Sequence, residues 1–296
     1  MLPSSRLGIS RRRFLLGAAG GLAASAAEAI IDIHQHVPYS GRTGEELVAH
    51  QRTMGITRTI LLPAGSQFGL AAGAGGNQVV VELARRHPGE FVFFANEVPD
   101  LAGARQEIEK YLKLGAIGIG EQKFQLPCDS KPMEMVAAIA AEFRVPLLMH
   151  FQHGVYNTGI ERFHKMLERY PKVSFLGHAQ TWWGNIDRNH DQAVMYPKTK
   201  VTTGGITDRL LTDYPNMYGD LSAGSGLNSL LRDEEQARGF LERHQNKLLY
   251  GSDCSDRFGE GDGCSGSKCI AAVRRLASPA VARKIFSENA RRVLKI

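Results

Sequence analysis

Short apolar runs alternate with amphipathic stretches along most of the chain. The runs cover residues 30–37, 57–65, 91–98, 116–124, 145–152, 172–180, 216–223 and 247–255. Each is nearly continuous in apolar or β-branched residues, the pattern of parallel strands buried on both faces. Residues 43–55, 77–89, 104–115, 133–144, 161–171 and 232–246 repeat apolar positions at helical spacing, and three of these stretches close on Gly55, Gly89 or Gly115. Two short helices, about 268–277 and 279–294, finish the chain. Strict strand–helix alternation predicts an α/β fold, and the count of eight strands predicts a closed (β/α)8 TIM barrel. An open doubly wound sheet is the competing architecture, but no G-x-G-x-x-G stands between a strand and a helix. The segment 181–215 is long for a strand-to-helix connection and predicts a cap over the barrel mouth.

The first 29 residues break this pattern. Ser10-Arg11-Arg12-Arg13-Phe14-Leu15-Leu16 resembles a twin-arginine export signal, and a Gly/Ala/Leu run follows to about residue 27. Ala24-Ser25-Ala26 and Ala27-Glu28-Ala29 both fit an A-x-A cleavage rule. The expectation is therefore a signal over residues 1–29, a single barrel domain over 30–296, the twin-arginine export machinery as a partner, and a periplasmic or extracytoplasmic location. That route carries proteins already folded, often with a cofactor loaded.

Composition adds limits. The chain has 296 residues, 43% hydrophobic and 22% charged, an ordinary globular balance. Half of the formal net charge of +6 falls in the first 29 residues, where four arginines face only Glu28. The remaining excess is scattered, which argues against nucleic acid as a partner and leaves a small-molecule substrate. A homo-oligomer stays open. Cys128, Cys254, Cys264 and Cys269 do not have zinc-knuckle spacing. In an oxidising compartment, Cys264–Cys269 and Cys254–Cys264 are the local disulfide candidates.

The chemistry gathers at strand ends. His34 and His36 form an H-x-H pair at the end of the first run, and positions i and i+2 of a strand share a face. Glu121 ends the fourth run, His150 the fifth, His178 the sixth and Asp253 the eighth. Barrel active sites form at the carboxyl ends of the strands, so all six converge there. Histidines with one or two carboxylates suit zinc, manganese or iron. Each residue alone has an ordinary structural explanation; their joint placement on five strands is the informative fact. Trp182 and Trp183 are candidates to wall an apolar or aromatic substrate. His153 and Arg257 are candidate substrate contacts. Asp220 is placed to orient a ligand. His50, His87, His164 and His244 have no assigned role.

The order H-x-H, Glu, His, His, Asp on successive strands resembles the amidohydrolase superfamily of metal-dependent hydrolases. The similarity is greatest to the branch of aminocarboxymuconate-semialdehyde decarboxylase-like enzymes, whose closing helix resembles KIFSENARRVLKI with Asn289 and Arg292. The resemblance spans nearly all of residues 30–296. It implies that His34, His36 and His150 ligate a divalent ion, most simply zinc, with one or two ions per site. It implies that His178 either ligates a second ion or hydrogen-bonds the reacting group. Asp253 would ligate the ion and take the proton from the water that the metal activates. Glu121 occupies a position that other branches fill with a carboxylated lysine, which makes Lys123 its rival. The implied reaction is hydrolysis of an ester, lactone or amide; non-oxidative decarboxylation is the alternative. A non-catalytic periplasmic metal- or solute-binding protein is less favoured, because a binding site needs no proton acceptor.

Overall fold

The computed structural model describes residue 1, residues 28–65 and residues 73–296. The twin-arginine-like stretch lies outside the described residues, as does much of the Gly/Ala-rich loop that precedes the second helix.

Eight parallel strands form the barrel: β1 Ile31–Gln35, β2 Arg58–Leu61, β3 Phe91–Phe93, β4 Ile119–Gln122, β5 Leu147–His150, β6 Phe175–His178, β7 Met217–Leu221 and β8 Leu248–Tyr250. The helices are α1 Gly44–Thr53, α2 Asn77–Arg86, α3 Ala104–Lys113, α4 Lys131–Phe143, α5 His164–Arg169, α6 Gln180–Gly184, α7 Ile206–Asp213, α8 Ala223–Leu231, α9 Glu234–Arg243, α10 Ser265–Leu276, α11 Pro279–Arg283 and α12 Asn289–Leu294. β1–β3 and β4–β8 pair in sequence order. Ala95 joins the two groups: its N–H donates to the Gly118 carbonyl and its own carbonyl accepts from Gly120 N–H, both at 2.9 Å. On the other side, the Asp253 N–H donates to the His34 carbonyl at 2.8 Å. The sheet is thus a closed (β/α)8 barrel, as the alternation predicts.

Two apolar layers hold it. Between strands and helices lies the larger core, including Leu47, Val80, Ile108, Val136 and Phe175. Inside the barrel, Ile31, Ile33, Ile60, Leu62, Phe94, Leu148, Leu176 and Leu249 pack on Ala290, Val293 and Leu294 of α12. Each fully buried side chain of this kind contributes roughly 1.5–3 kcal/mol. The C-terminal helix thereby plugs the floor of the barrel. No helix among the described residues is long and apolar enough to cross a membrane.

In β5 and β6 plain alternation builds the inner wall. Leu148 and Leu176 lie in the inner layer, and His150 and His178, two residues on and paired in register, stand above them. β1 and β4 need a correction. Their registers shift between Asp32 and Gln35 and between Ile119 and Gln122, so each carries one extra residue against its neighbour. Such a bulge re-aims the side chains that follow it. It lets β1 present Ile33 to the inner layer and still turn His34 and His36 inward. Asp32 pins it, its carboxylate accepting the His34 N–H at 3.0 Å and the Ser252 N–H at 2.9 Å. In β4, Ile119 faces the outer core and Glu121 faces in. Gly120, between them, has φ +136°, and a Cβ there would meet the Leu148 carbonyl oxygen at 2.8 Å.

The strands are shorter than the apolar runs, because the residues at the ends of those runs continue into loops. The segment 181–215 is not a bare cap: it holds most of α6 and all of α7. Helix α8, between β7 and α9, was absent from the sequence-based expectation, because its Gly/Ser-rich start reads as loop.

Candidate metal centre

All six strand-end candidates meet at the carboxyl end of the barrel. His34 closes on Glu121, Asp220 and Asp253; His36 on Glu121 and Asp253; His178 on Glu121, Asp220 and Asp253; His150 on Glu121. The histidines and Glu121 are buried, whereas the Asp253 side chain keeps 12% of its surface and marks the open side. Asp253 lies beyond β8, with φ +39°, a left-handed conformation that costs an L-residue of order 1 kcal/mol. Its N–H bond to His34 holds it there.

Hydrogen bonds set which ring nitrogen faces the centre. His36 Nδ1 donates to the Leu62 carbonyl oxygen at 2.8 Å, and His34 Nδ1 donates to Asp220 Oδ2 at 2.6 Å. Both Nε2 atoms therefore carry lone pairs, yet they stand 3.1 Å apart. Two ring nitrogens at that distance need a proton or a metal cation between them. His178 Nδ1 is bonded to Ser222 Oγ at 2.9 Å, which leaves its Nε2 toward Asp253 Oδ2 at 3.5 Å. This carboxylate–histidine arrangement behind ligating nitrogens is the usual support of a metal site. The donor set fits a divalent first-row ion.

Glu121 divides the site. Its Oε2 lies 3.4 Å from His36 Nε2 and 3.7 Å from His34 Nε2. Its Oε1 lies 2.5 Å from His150 Nδ1 and 3.6 Å from His178 Nε2. His34, His36 and Glu121 form one group able to hold an ion; Glu121, His150 and His178 form another; His34, His178 and Asp253 form a third.

Charges agree with this. Burial alone would raise the Glu121 carboxyl, but His150, His34 and His36 hold it well below the usual carboxylate range. Burial likewise opposes ionisation of Asp253, and His34, His178 and His36 overcome it, so Asp253 is held ionised. Burial opposes a second proton on His34, but Asp253, Asp220 and Glu121 outweigh it and raise its pKa, and the same anionic surround would attract a metal cation in place of that proton at Nε2. His150 is lowered by burial, only partly offset by Glu121.

Other sequence candidates fall elsewhere. Lys123 does not join the donors: its Nζ lies over the Tyr156 ring, 5.7 Å from the centroid. Trp182 and Trp183 are not a substrate wall, which corrects the reading from sequence. Both are buried in the core on α6. Trp182 stacks on Phe151 and fills the space left by Gly177, where a Cβ would come within 2.5 Å of the indole. Trp183 Nε1 donates to the Asp220 carbonyl oxygen at 3.1 Å. Helix α6 turns the chain inward directly after His178, so these rings pack behind the barrel wall. Arg257 is exposed, pairs with Glu46 at 3.4 Å and donates to the Gly41 carbonyl oxygen at 3.3 Å. His153 is an exposed loop residue whose N–H donates to Thr181 Oγ1 at 2.6 Å. All four cysteines are free thiols; Cys254 and Cys264 lie 3.6 Å apart, and Cys269 donates to the Leu221 carbonyl oxygen.

Several residues escaped the sequence reading. Tyr39 donates its hydroxyl proton to Asp253 Oδ1 at 2.8 Å. Ser222 supports His178. Gln152 contacts His150 Nε2 at 3.3 Å and Met195 Sδ at 3.8 Å, and Gln180 reaches Tyr196 at 3.3 Å. Met195 and Tyr196 are exposed, so the 185–205 loop brings apolar surface to the rim. Apart from Gln180, which opens α6, these residues lie outside the named strands and helices, where no periodicity marks them; Tyr39 is three residues past His36.

The whole architecture has solved counterparts. The chain is similar to an uncharacterised TIM-barrel protein of Bordetella bronchiseptica, with 15% identity, a TM-score of 0.64, and 90% of this chain and 98% of that one covered. It is similar to 2,6-dihydroxybenzoate decarboxylase from Rhizobium at 14% identity and a TM-score of 0.60, covering 90% and 99% of the two chains. It is also similar to a probable 2-pyrone-4,6-dicarboxylic acid hydrolase of Acinetobacter baumannii at 12% identity and a TM-score of 0.61, covering 90% and 99%. No protein-family profile and no curated protein sequence matches the chain. These likenesses establish the fold: a (β/α)8 barrel over almost the entire described chain.

Proposed function

We propose that the protein is a metal-dependent hydrolase of the amidohydrolase superfamily that cleaves an ester, lactone or amide bond of a small organic substrate. The observation that carries this reading is the placement of an ionised, partly open carboxylate, Asp253, against a buried set of four histidines and Glu121. A zinc-class ion, with manganese and iron as alternatives, would be held by His34, His36, Glu121, His150, His178 and Asp253 and would supply Lewis acidity toward water and a carbonyl oxygen.

The chain's own groups then have defined tasks. Tyr39 holds Asp253 Oδ1, which leaves Oδ2 to take a proton from the attacking water. As the C–O or C–N bond of the substrate breaks, the same oxygen returns that proton to the leaving group. His178, fixed by Ser222, places Nε2 3.5 Å from that oxygen, where it would either ligate a second ion or hydrogen-bond the reacting group. Gln152, Tyr156 and Met195 line the side next to His150. The twin-arginine-like stretch supports an exported, periplasmic enzyme.

Decarboxylation is the second reading, and the likeness to 2,6-dihydroxybenzoate decarboxylase favours it. There the carbon–carbon bond breaks, carbon dioxide leaves, the bond's electron pair stays on the substrate carbon, and a histidine, or Asp253 after it has taken a proton from water, gives that carbon a proton. A panel of esters, lactones, amides and aromatic carboxylates separates the two. Acid release without carbon dioxide supports hydrolysis, and carbon dioxide release supports the lyase. Full turnover by chelator-stripped, folded protein overturns both.

A further inference from the structure

A second cluster lies behind the loop that carries Asp253. His50 of α1, Cys254, and Cys264 at the start of α10 bring an imidazole nitrogen and two sulfurs together, all three side chains buried. Cys254 Sγ is 3.6 Å from Cys264 Sγ, and Cys264 Sγ is 3.6 Å from His50 Nε2. The sulfur spacing is far beyond a disulfide bond of about 2.05 Å. It is close to the edge lengths of a tetrahedral site with Zn–S of about 2.3 Å, which are about 3.8 Å for S···S and about 3.6 Å for S···N.

The surrounding groups are arranged for ligation. His50 Nδ1 donates to Gln51 Oε1 at 3.0 Å, and Gln51 is oriented by donating its Nε2 to Asp32 at 2.8 Å. His50 Nε2 therefore carries the lone pair that faces the sulfurs. Both sulfurs receive backbone donors: Ser267 N–H to Cys264 at 3.3 Å, and the N–H groups of Asp256 and Gly266 to Cys254. Such donors stabilise thiolate sulfur. Asp256 Oδ2 lies 3.9 Å from His50 Nε2, and Met54 Sδ lies 3.6 Å from Cys264 Sγ. Buried Arg42 donates to the Asp256 carbonyl oxygen at 2.8 Å and sets a positive charge beside this anionic group.

We propose that His50, Cys254 and Cys264 form a second metal site for a zinc-class divalent ion, separate from the barrel centre. Its role is structural. The ion ties α1, the loop after β8 and the start of α10 together. Cys254 directly follows Asp253, and its carbonyl accepts from Gln35 Nε2 at 3.2 Å, so the tie fixes the loop between the two groups of ligands. Binding releases the thiol protons.

X-ray absorption at the zinc edge of the full-length, zinc-loaded protein tests this without any variant. Sulfur scatterers at about 2.3 Å are expected; a spectrum with nitrogen and oxygen alone overturns the proposal. Cobalt(II) loading gives an independent check. A thiolate-to-cobalt charge-transfer band is expected in the wild type, in Cys269→Ser and in His36→Asn, and should be lost in Cys254→Ser and Cys264→Ser with an unchanged circular dichroism spectrum. A band that survives Cys264→Ser, or a Cys254–Cys264 disulfide in freshly purified, alkylated protein, overturns it.

Discussion

Asp220 on β7 accepts a hydrogen bond from His34 Nδ1 on β1 at 2.6 Å, and neither side chain has any exposed surface. The bond spans the barrel wall and fixes which nitrogen of His34 faces Glu121. Asp220→Asn should therefore weaken metal binding by ~10–100-fold while the fold persists. Competition with a chromogenic chelator measures this; an unchanged affinity would remove Asp220 from its supporting role.

Asp253 and Tyr39 should separate in kinetics. Asp253→Asn keeps the shape but abolishes the proton acceptor, and a fall in kcat of ~10²–10⁴-fold is expected. Tyr39→Phe deletes one hydrogen bond, worth ~1.5–3 kcal/mol when its acceptor is charged, so kcat should fall by about tenfold or more with little change in KM. Near-normal turnover by Asp253→Asn would sink the assigned mechanism.

Trp182 should matter for stability rather than for substrate choice. Its ring is buried against Phe151 and the backbone of Gly177. Trp182→Ala should cost ~3–5 kcal/mol in urea unfolding. A variant that unfolds like the wild type but shows a raised KM would return Trp182 to the pocket.

The Asp208–His244 pair predicts an acid limb of stability. Burial raises the Asp208 carboxyl, but His244, bonded at 2.6 Å, and Arg243 lower it below its ordinary value of 3.8. A carboxyl depressed in the folded state contributes stability above its unfolded pKa and loses it as pH falls through the folded one. Urea midpoints should thus decline below about pH 4, and Asp208→Asn should flatten that slope. Equal slopes would show that other carboxylates dominate.

Much of this was legible in the chain itself. The eight apolar runs announce the barrel because parallel strands are buried on both faces, and strand ends announce the ligands because that is where a barrel exposes chemistry. The facing of Glu121 was not legible. By alternation it shares a side with Ile119, and only the extra residue in β4 turns it inward. Trp182 failed for the opposite reason. Its position four residues after His178 suggested a mouth residue, but the glycine at 177 leaves space that the indole ring fills. Tyr39 and Ser222 act through loops and through pairing between distant strands, which no local pattern records.

The plug formed by Ala290, Val293 and Leu294 carries a consequence for traffic. With the floor sealed by packed apolar side chains, the rim that bears Asp253, Met195 and Tyr196 is the doorway for both arrival and departure. Whatever reaches the buried donors has to leave past the same side chains by which it came.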